Sequence, residues 1–384
     1  MKILLSFLQD QAAAPHDIPA YRFWSYYIKN GIAEANMQFV EVEGVDWAAG
    51  LIHDEQSPAL EQWKDEVWSK TLNYLKMGDT GVDIVLCYLY PKQIAVSAIR
   101  EIRKLGIPCV NFYCDNIREF TRVPEEFKAF DLVWVPELEA LPMYKKAKVD
   151  YINLPMPIWI DHRYRVLPTS ENERVTFIGS KDVLRQRFFS GVIARGLDIG
   201  IGGKGWDTVS GKTSAGPSTT TKKFKNALGF IKRHGIKGYA AYAANRVRKL
   251  PQSVIPPENI LGQPDFEAYL RITRESRITL GFNEVPIPSR LDTRPLVYSR
   301  LRDLEAPMLG ACYLTEYTEG LDYLYEIGKE IETYANADEL IEKCRELIAS
   351  KSKRTLLRTQ GQQRALNSHN IPTSLEKIKL KLFK

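Results

Sequence analysis

The 384-residue chain contains no run of 18 or more uncharged apolar residues, so nothing in it is long enough to cross a bilayer as a helix. Met1-Lys2 leads into the apolar run Ile3 to Leu8, but Gln9 and Asp10 cut that run far short of a signal-peptide core, and it reads as a first β-strand. Cysteine is scarce. The five present, Cys87, Cys109, Cys114, Cys312 and Cys344, are odd in number and form no C-x-x-C pair, which argues against a disulfide framework or a zinc site and for a reducing cytoplasm. No glycine occurs from Gln9 to Pro15, so no G-x-G-x-x-G follows the first strand, and an NAD-dependent oxidoreductase is disfavoured. No Asp-x-Asp pair follows a strand, so the chain shows no acidic pair for a metal. Acidic residues are also missing between Asp207 and Glu258, where Lys212, Lys222, Lys223, Lys225, Lys232, Arg233, Lys237, Arg246, Arg248 and Lys249 all fall. Such a segment faces water or something polyanionic.

The composition, 44% hydrophobic and 26% charged, is that of a globular protein, and the length exceeds what one core usually supports. Strand-like runs at Ile3 to Leu8, Asp83 to Leu89, Cys109 to Cys114, Leu132 to Val135 and Tyr151 to Leu154 alternate with amphipathic stretches. One of these is Gln93 to Leu105, which stops at Gly106-Ile107-Pro108. Paired prolines at Leu154-Pro155-Met156-Pro157 and Pro168 mark a connection, after which the pattern restarts. Strands are expected at Val175 to Ile178, Asp198 to Ile201, Ile260-Leu261, Ile278 to Phe282, Ala311 to Leu314 and Glu332 to Tyr334. Helices are expected at Val183 to Arg195, Phe266 to Arg274, Leu296 to Glu305 and Ala337 to Ala349. The division is therefore an N-terminal Rossmann-like domain over 1–157, a C-terminal one over 170–350 with a basic insertion at 208–257, and solvated closing helices over 351–384.

Ligands of open α/β sheets collect at the carboxyl ends of the strands. That rule selects Gln9 to Asp17, Tyr88 to Lys92, Asp115-Asn116 and Glu137 in the first half. In the second it selects Gly179-Ser180-Lys181, the cluster from Gly200 to Trp206 with Gly203 and Lys204, Asn283, and Thr315 to Gly320. Glycines there let backbone approach a ligand, and Lys204 adds charge for phosphate; a plain tight turn explains the cluster equally well. In Arg302-Asp303-Leu304-Glu305, Arg302 and Glu305 stand three apart on one helix face, where a carboxylate can accept two bonds from a ribose diol and an arginine can neutralise a diphosphate. The alternative is a surface ion pair worth under about 1 kcal/mol.

The block Arg302 to Leu314, followed by Glu319-Gly320-Leu321, Gly328-Lys329-Glu330, Tyr334, Asp338-Glu339-Leu340, Gly361 and His369, resembles the GT-B glycosyltransferases, and within them the CgeB-like, spore-maturation-protein group. Val110 to Asn116 and Phe177 to Ser180 are similar to the same group. The resemblance implies two Rossmann-like α/β domains facing across a cleft, and a metal-independent, hexosyltransferase-type enzyme with no cofactor. It would move a sugar from a nucleoside-diphosphate sugar to a glycan or lipid-linked acceptor in bacterial surface polysaccharide or glycoconjugate synthesis. The donor would sit on the C-terminal domain with Glu305 at the ribose; a catalytically inactive nucleotide-sugar-binding protein is the alternative. Many retaining members carry a further glutamate against the sugar where Val297 stands here, which leaves stereochemistry open.

On that reading the diphosphate leaving group calls on Gly179, Ser180, Lys181, Gly203, Lys204, Trp206, Asn283, Arg294, Arg302 and the N-terminus of a Leu296 helix. The base that an inverting reaction needs is sought among His16, Asp17 and Asp115, each of which a helix cap or turn would explain as well. Aromatic residues among the cations of 208–257 suggest peripheral contact with the inner face of a membrane; no nucleic-acid module is recognised.

Overall fold

The structure is a computed structural model and describes residues 1–7, 21–206, 231, 236, 239–240, 243–244, 254–285 and 295–383; the side chains of 21–23 are not described. Contacts divide the chain into two units, 1–161 with 365–384, and 162–364.

The N-terminal unit is built on one parallel sheet of β1 (Lys2–Ser6), β2 (Gln38–Val40), β3 (Ile84–Cys87), β4 (Cys109–Phe112), β5 (Leu132–Val135) and β6 (Tyr151–Asn153) in the order β2-β1-β3-β4-β5-β6. Every residue of β3, β4 and β5 is buried, as expected of strands covered by helices on both faces. The helices include α1 (Tyr21–Glu34), α2 (Pro58–Lys76), α3 (Val96–Lys104), α4 (Asn116–Glu119) and α5 (Leu141–Ala147). Their starts are set locally: Ser57 Oγ accepts from Leu60 N (3.1 Å) just ahead of Pro58, which opens α2. The stretch from Gln93 is not one helix. Pro91–Gln93 forms a 3-10 turn, and α3 begins only at Val96.

The C-terminal unit repeats the plan with β7 (Asn172–Ile178), β8 (Ile199–Gly202), β9 (Ile260–Gly262), β10 (Ser276–Leu280), β13 (Tyr313–Glu316) and β14 (Glu332–Tyr334). All are parallel, in the order β14-β13-β10-β7-β8-β9. Between β10 and β13 a separate antiparallel ribbon pairs β11 (Glu284–Val285) with β12 (Leu296–Val297). The helices include α6 (Val183–Ile193), α7 (Phe266–Glu275), α8 (Arg302–Met308), α9 (Ala337–Ala349) and α10 (Lys351–Ser368). Asp182, Asp265 and Asn336 cap α6, α7 and α9 through side-chain oxygens.

Two expectations need correction. No helix spans Leu296 to Glu305: Leu296-Val297 has strand-forming side chains and finds a partner strand in Glu284–Val285, so the helix starts only at Arg302. The tail is not a solvated closing segment either. It breaks into α10 and α11 (Ile371–Leu382), and Leu357, Ala365, Ile371, Leu375 and Ile378 are fully or almost fully buried. In the C-terminal unit, Arg354 and Arg358 reach from α10 to both oxygens of Glu171, and Arg358 also donates to the carbonyls of Arg274, Gly310 and Ser276. Residues 365–384 belong to the N-terminal unit, where Ile371 lies so close to Gly31 of α1 that a Cβ there would sit 2.5 Å from it.

Candidate functional site

The strand order of the C-terminal unit runs outward from β7 in both directions, β8 and β9 to one side and β10, β13 and β14 to the other. The switch point therefore lies between the carboxyl ends of β7 and β10, where a doubly wound sheet opens a crevice. The loops there are held closely. Gly203 (φ +127°) leaves β8 so near the β7 loop that a Cβ would stand 2.4 Å from Gly179 O. Trp206 Nε1 donates to the same carbonyl at 2.7 Å, and Lys181 N donates to Lys204 O at 2.9 Å. The glycines of this cluster thus serve the approach of one loop to another, with Lys181 Nζ 6.0 Å above the Trp206 ring and Lys204 exposed.

Three guanidinium groups gather at this end of the sheet. Arg185, in the first turn of α6, donates to Ser180 O (2.9 Å) and lies 3.3 Å from Asp182, with its charge over Phe177 (5.5 Å). Arg300 stacks on Tyr298 (5.0 Å) and bonds its hydroxyl at 3.0 Å. Arg302 stacks on Tyr269 of α7 (5.0 Å). Burial, offset in part by Asp182 and reinforced by the positive charges of Arg300 and Arg302, lowers Arg185 to about 10. Arg302 Nη1 is buried and makes no hydrogen bond among the described residues, whereas the buried Arg185 Nε faces Asp182 at 3.3 Å. Glu305, 3% exposed, accepts a hydrogen bond from Tyr269, so Arg302 and Glu305 converge on one ring.

Two buried carboxylates shape the floor: Asp303, whose role the sequence reading passed over, and Glu316, within the strand-end stretch Thr315 to Gly320. Asp303 accepts from Tyr313 OH (2.7 Å), Thr315 Oγ1 (3.0 Å) and Arg300 N (2.8 Å), and so ties the start of α8 to β13. Burial holds its carboxyl above the usual range despite those bonds. Gly281 makes room for this contact, since a Cβ there would lie 2.1 Å from Thr315 Oγ1. Glu316, closing β13, accepts from the backbone N–H groups of Asn283 and Glu284, both at 2.8 Å, and burial pushes it up to about 7. Asn283 is therefore a structural group: its side chain donates to Glu316 O (2.9 Å) and Thr315 Oγ1 (3.3 Å).

The N-terminal unit contains the same device. Glu137, after β5, accepts from Asn116 N (3.0 Å), Asn116 Nδ2 (2.5 Å) and Ile117 N (3.4 Å), and burial raises it to about 7. Each unit thus uses a buried glutamate beyond one strand to hold two consecutive N–H groups beyond the neighbouring strand. Asp115 stands beside this clamp, half-buried and 3.8 Å from Arg118. His16, Asp17 and Arg294 lie outside the described residues, as does most of the basic insertion 208–257. The expected helix dipole at Leu296 is not available to a leaving group, because that stretch is strand.

With this geometry in hand, comparison with solved structures is informative. Sucrose-phosphate synthase from Thermosynechococcus elongatus is similar over 100% of this chain and 98% of its own, at 13% identity and a TM-score of 0.55. A glycosyltransferase from Rickettsia africae matches over 100% and 98% at 10% identity and a TM-score of 0.57. HepE from Anabaena, solved in complex with UDP-glucose, matches over 99% of both chains at 12% identity and a TM-score of 0.56. The fold is that of the GT-B glycosyltransferases. A family model described as "Glycosyl transferase-like" matches residues 241–379, the part of the GT-B chain that carries α7, α8, Arg300, Arg302 and Glu305. No curated protein matches. Among the described residues, no helix of this GT-B chain is long and apolar enough to cross a membrane.

Proposed function

We propose that the protein is a transferase that moves a sugar from a nucleoside-diphosphate donor held by its C-terminal unit. The observation that carries this reading is the gathering of Arg185, Arg300 and Arg302, each backed by an aromatic ring, at the switch point of a GT-B fold, with a buried N–H donor of Arg302 making no hydrogen bond among the described residues. Guanidinium groups fixed by stacking form charge-assisted bonds to a diphosphate with little ordering cost. As the bond to the sugar breaks, negative charge grows on the diphosphate, and donors already in place stabilise it without reorganisation. Glu305, held by Tyr269 beside Arg302, is assigned to the ribose hydroxyls. In this account the cationic work falls to arginines rather than to a metal. Asp115 is the candidate base within the described residues, and the N-terminal unit is assigned to the acceptor, taken as a glycan or lipid-linked hydroxyl. Membership of the CgeB-like group, a hexose as the transferred sugar, surface polysaccharide as the product, a cytoplasmic setting and membrane contact through 208–257 are parts of the same proposal.

The test is a calorimetric titration with UDP, GDP, ADP and dTDP and their glucose conjugates. At least one series is expected to bind, and at 100 times its Kd to add about 2.7 kcal/mol to folding stability. If none binds at millimolar concentration, the reading fails.

A further inference from the structure

Helix α11 is buried along one side only. Ile371, Ser374, Leu375 and Ile378 turn into the N-terminal unit, with Ile371 against Gly31 of α1. On the opposite side Leu380 is 60% exposed and Phe383 52% exposed. These two stand three apart and share a face, and the helical period puts Lys379 on one flank of them and Lys377 and Lys381 on the other. One exposed apolar residue is ordinary on a protein surface. A pair on one helical face with cations on both flanks is the pattern of a helix that lies in a bilayer interface.

The surface next to the helix carries the same sign. Lys381 Nζ donates to Tyr151 O at 2.6 Å and lies 6.0 Å above its ring, which ties α11 to the edge strand β6. Tyr151 packs on Tyr144 of α5 (5.9 Å), and the turn from α5 into β6 exposes Lys145, Lys146 and Lys148. Against these lysines and those of α11 stand the exposed acids Asp150 and Glu376, and Glu376 is already paired with Lys379 at 3.1 Å. An excess of cations around two apolar side chains suits a partner with phosphate at its boundary and hydrocarbon just beneath. A soluble polyanion offers the charge without the hydrocarbon. Lysine stems are long enough to keep their ammonium groups at the phosphates while the apolar pair goes deeper.

We propose that the outward face of α11, with the lysines that follow α5, docks the N-terminal unit on an anionic lipid surface, Leu380 and Phe383 entering the interface. This contact lies outside the basic insertion and does not rest on the donor-site reading. The test is flotation of the full chain with vesicles of phosphatidylcholine and phosphatidylglycerol in equal parts, and with phosphatidylcholine alone. The chain is expected to float with the mixed vesicles, to float poorly with phosphatidylcholine, and to partition less as salt rises from about 0.1 M to about 1 M and the Debye length falls from about 10 Å to about 3 Å. Leu380→Ser combined with Phe383→Ser should weaken partition about tenfold or more, and Lys377→Gln combined with Lys379→Gln about fivefold. All four side chains point outward, so urea unfolding of both variants should match the unaltered chain. Failure to float with the mixed vesicles would overturn the proposal. So would undiminished flotation of Leu380→Ser/Phe383→Ser, which would move the contact to another face. A dimer in sedimentation that this variant dissolves, without any lipid binding, would assign the face to a second copy of the chain instead.

Discussion

Replacing Arg302 by methionine removes a guanidinium but keeps an unbranched apolar stem to lie on Tyr269. In the unliganded protein the expected cost is small. Arg302 Nη1 makes no hydrogen bond among the described residues, and Arg185 and Arg300 gain from losing a like charge, while Glu305 loses an opposite one but keeps its bond from Tyr269. These effects oppose each other, and stability should stay within about 1 kcal/mol. With donor bound the balance differs. One lost charge-assisted hydrogen bond is worth about 1.5–3 kcal/mol, which at about 1.4 kcal/mol per decade weakens binding roughly 10- to 150-fold. Calorimetry with the best-binding nucleoside diphosphate reads the second quantity, and urea unfolding without ligand reads the first. Arg302→Lys should fall between, since it keeps charge but loses the planar fork. A Kd unchanged within twofold in Arg302→Met would refute the phosphate role. A loss of stability above about 3 kcal/mol would make Arg302 a structural residue instead, since a broken buried pair costs that much.

Glu316 and Glu171 supply two further tests. Glu316 stands at about 7 when folded against about 4.3 unfolded, so the stability tied to its proton is complete below the unfolded value and is lost as pH rises through the folded one. Relative to the original chain, Glu316→Gln should gain roughly 3–4 kcal/mol between about pH 4 and pH 8, at about 1.36 kcal/mol per pKa unit, and a flat difference in urea unfolding would contradict the burial argument. Partial burial works against Glu171, yet Arg354 and Arg358 hold its carboxyl below the ordinary range, so its contribution is present above the unfolded pKa and fades in acid. Glu171→Ala should therefore destabilise the protein by about 1.5–3 kcal/mol at neutral pH, with the gap closing as pH falls below about 4, and a loss that persists at low pH would point to packing instead.

Much of the architecture was legible in one dimension. Leu132–Val135, Glu332–Tyr334 and Ala337–Ala349 match their expected spans, because an apolar run bounded by breakers and a helix opened by Asn336 are written locally. Leu296 to Glu305 misled because apolar spacing cannot tell a helix from a short strand whose partner lies beyond a loop. Asp303 was passed over because burial decides its role. Beside Arg302 it reads as one more surface charge until Tyr313 and Thr315 are seen to close on it. Arg185 and Arg300 escaped for a related reason, since neither sits in a motif and they meet Arg302 only through the order of strands.

By itself the sequence determined the alternation of strand and helix, the two-unit plan and the placing of Arg302 and Glu305 on one short helix, all of which depend on neighbours within a few residues. The tertiary structure alone decided which charges share the switch point. It made Asn283 and Glu137 parts of backbone clamps and made Gly203 a point of loop-to-loop approach. The physical reason is that desolvation and like-charge proximity act through space, and chain order does not record which distant strands end side by side.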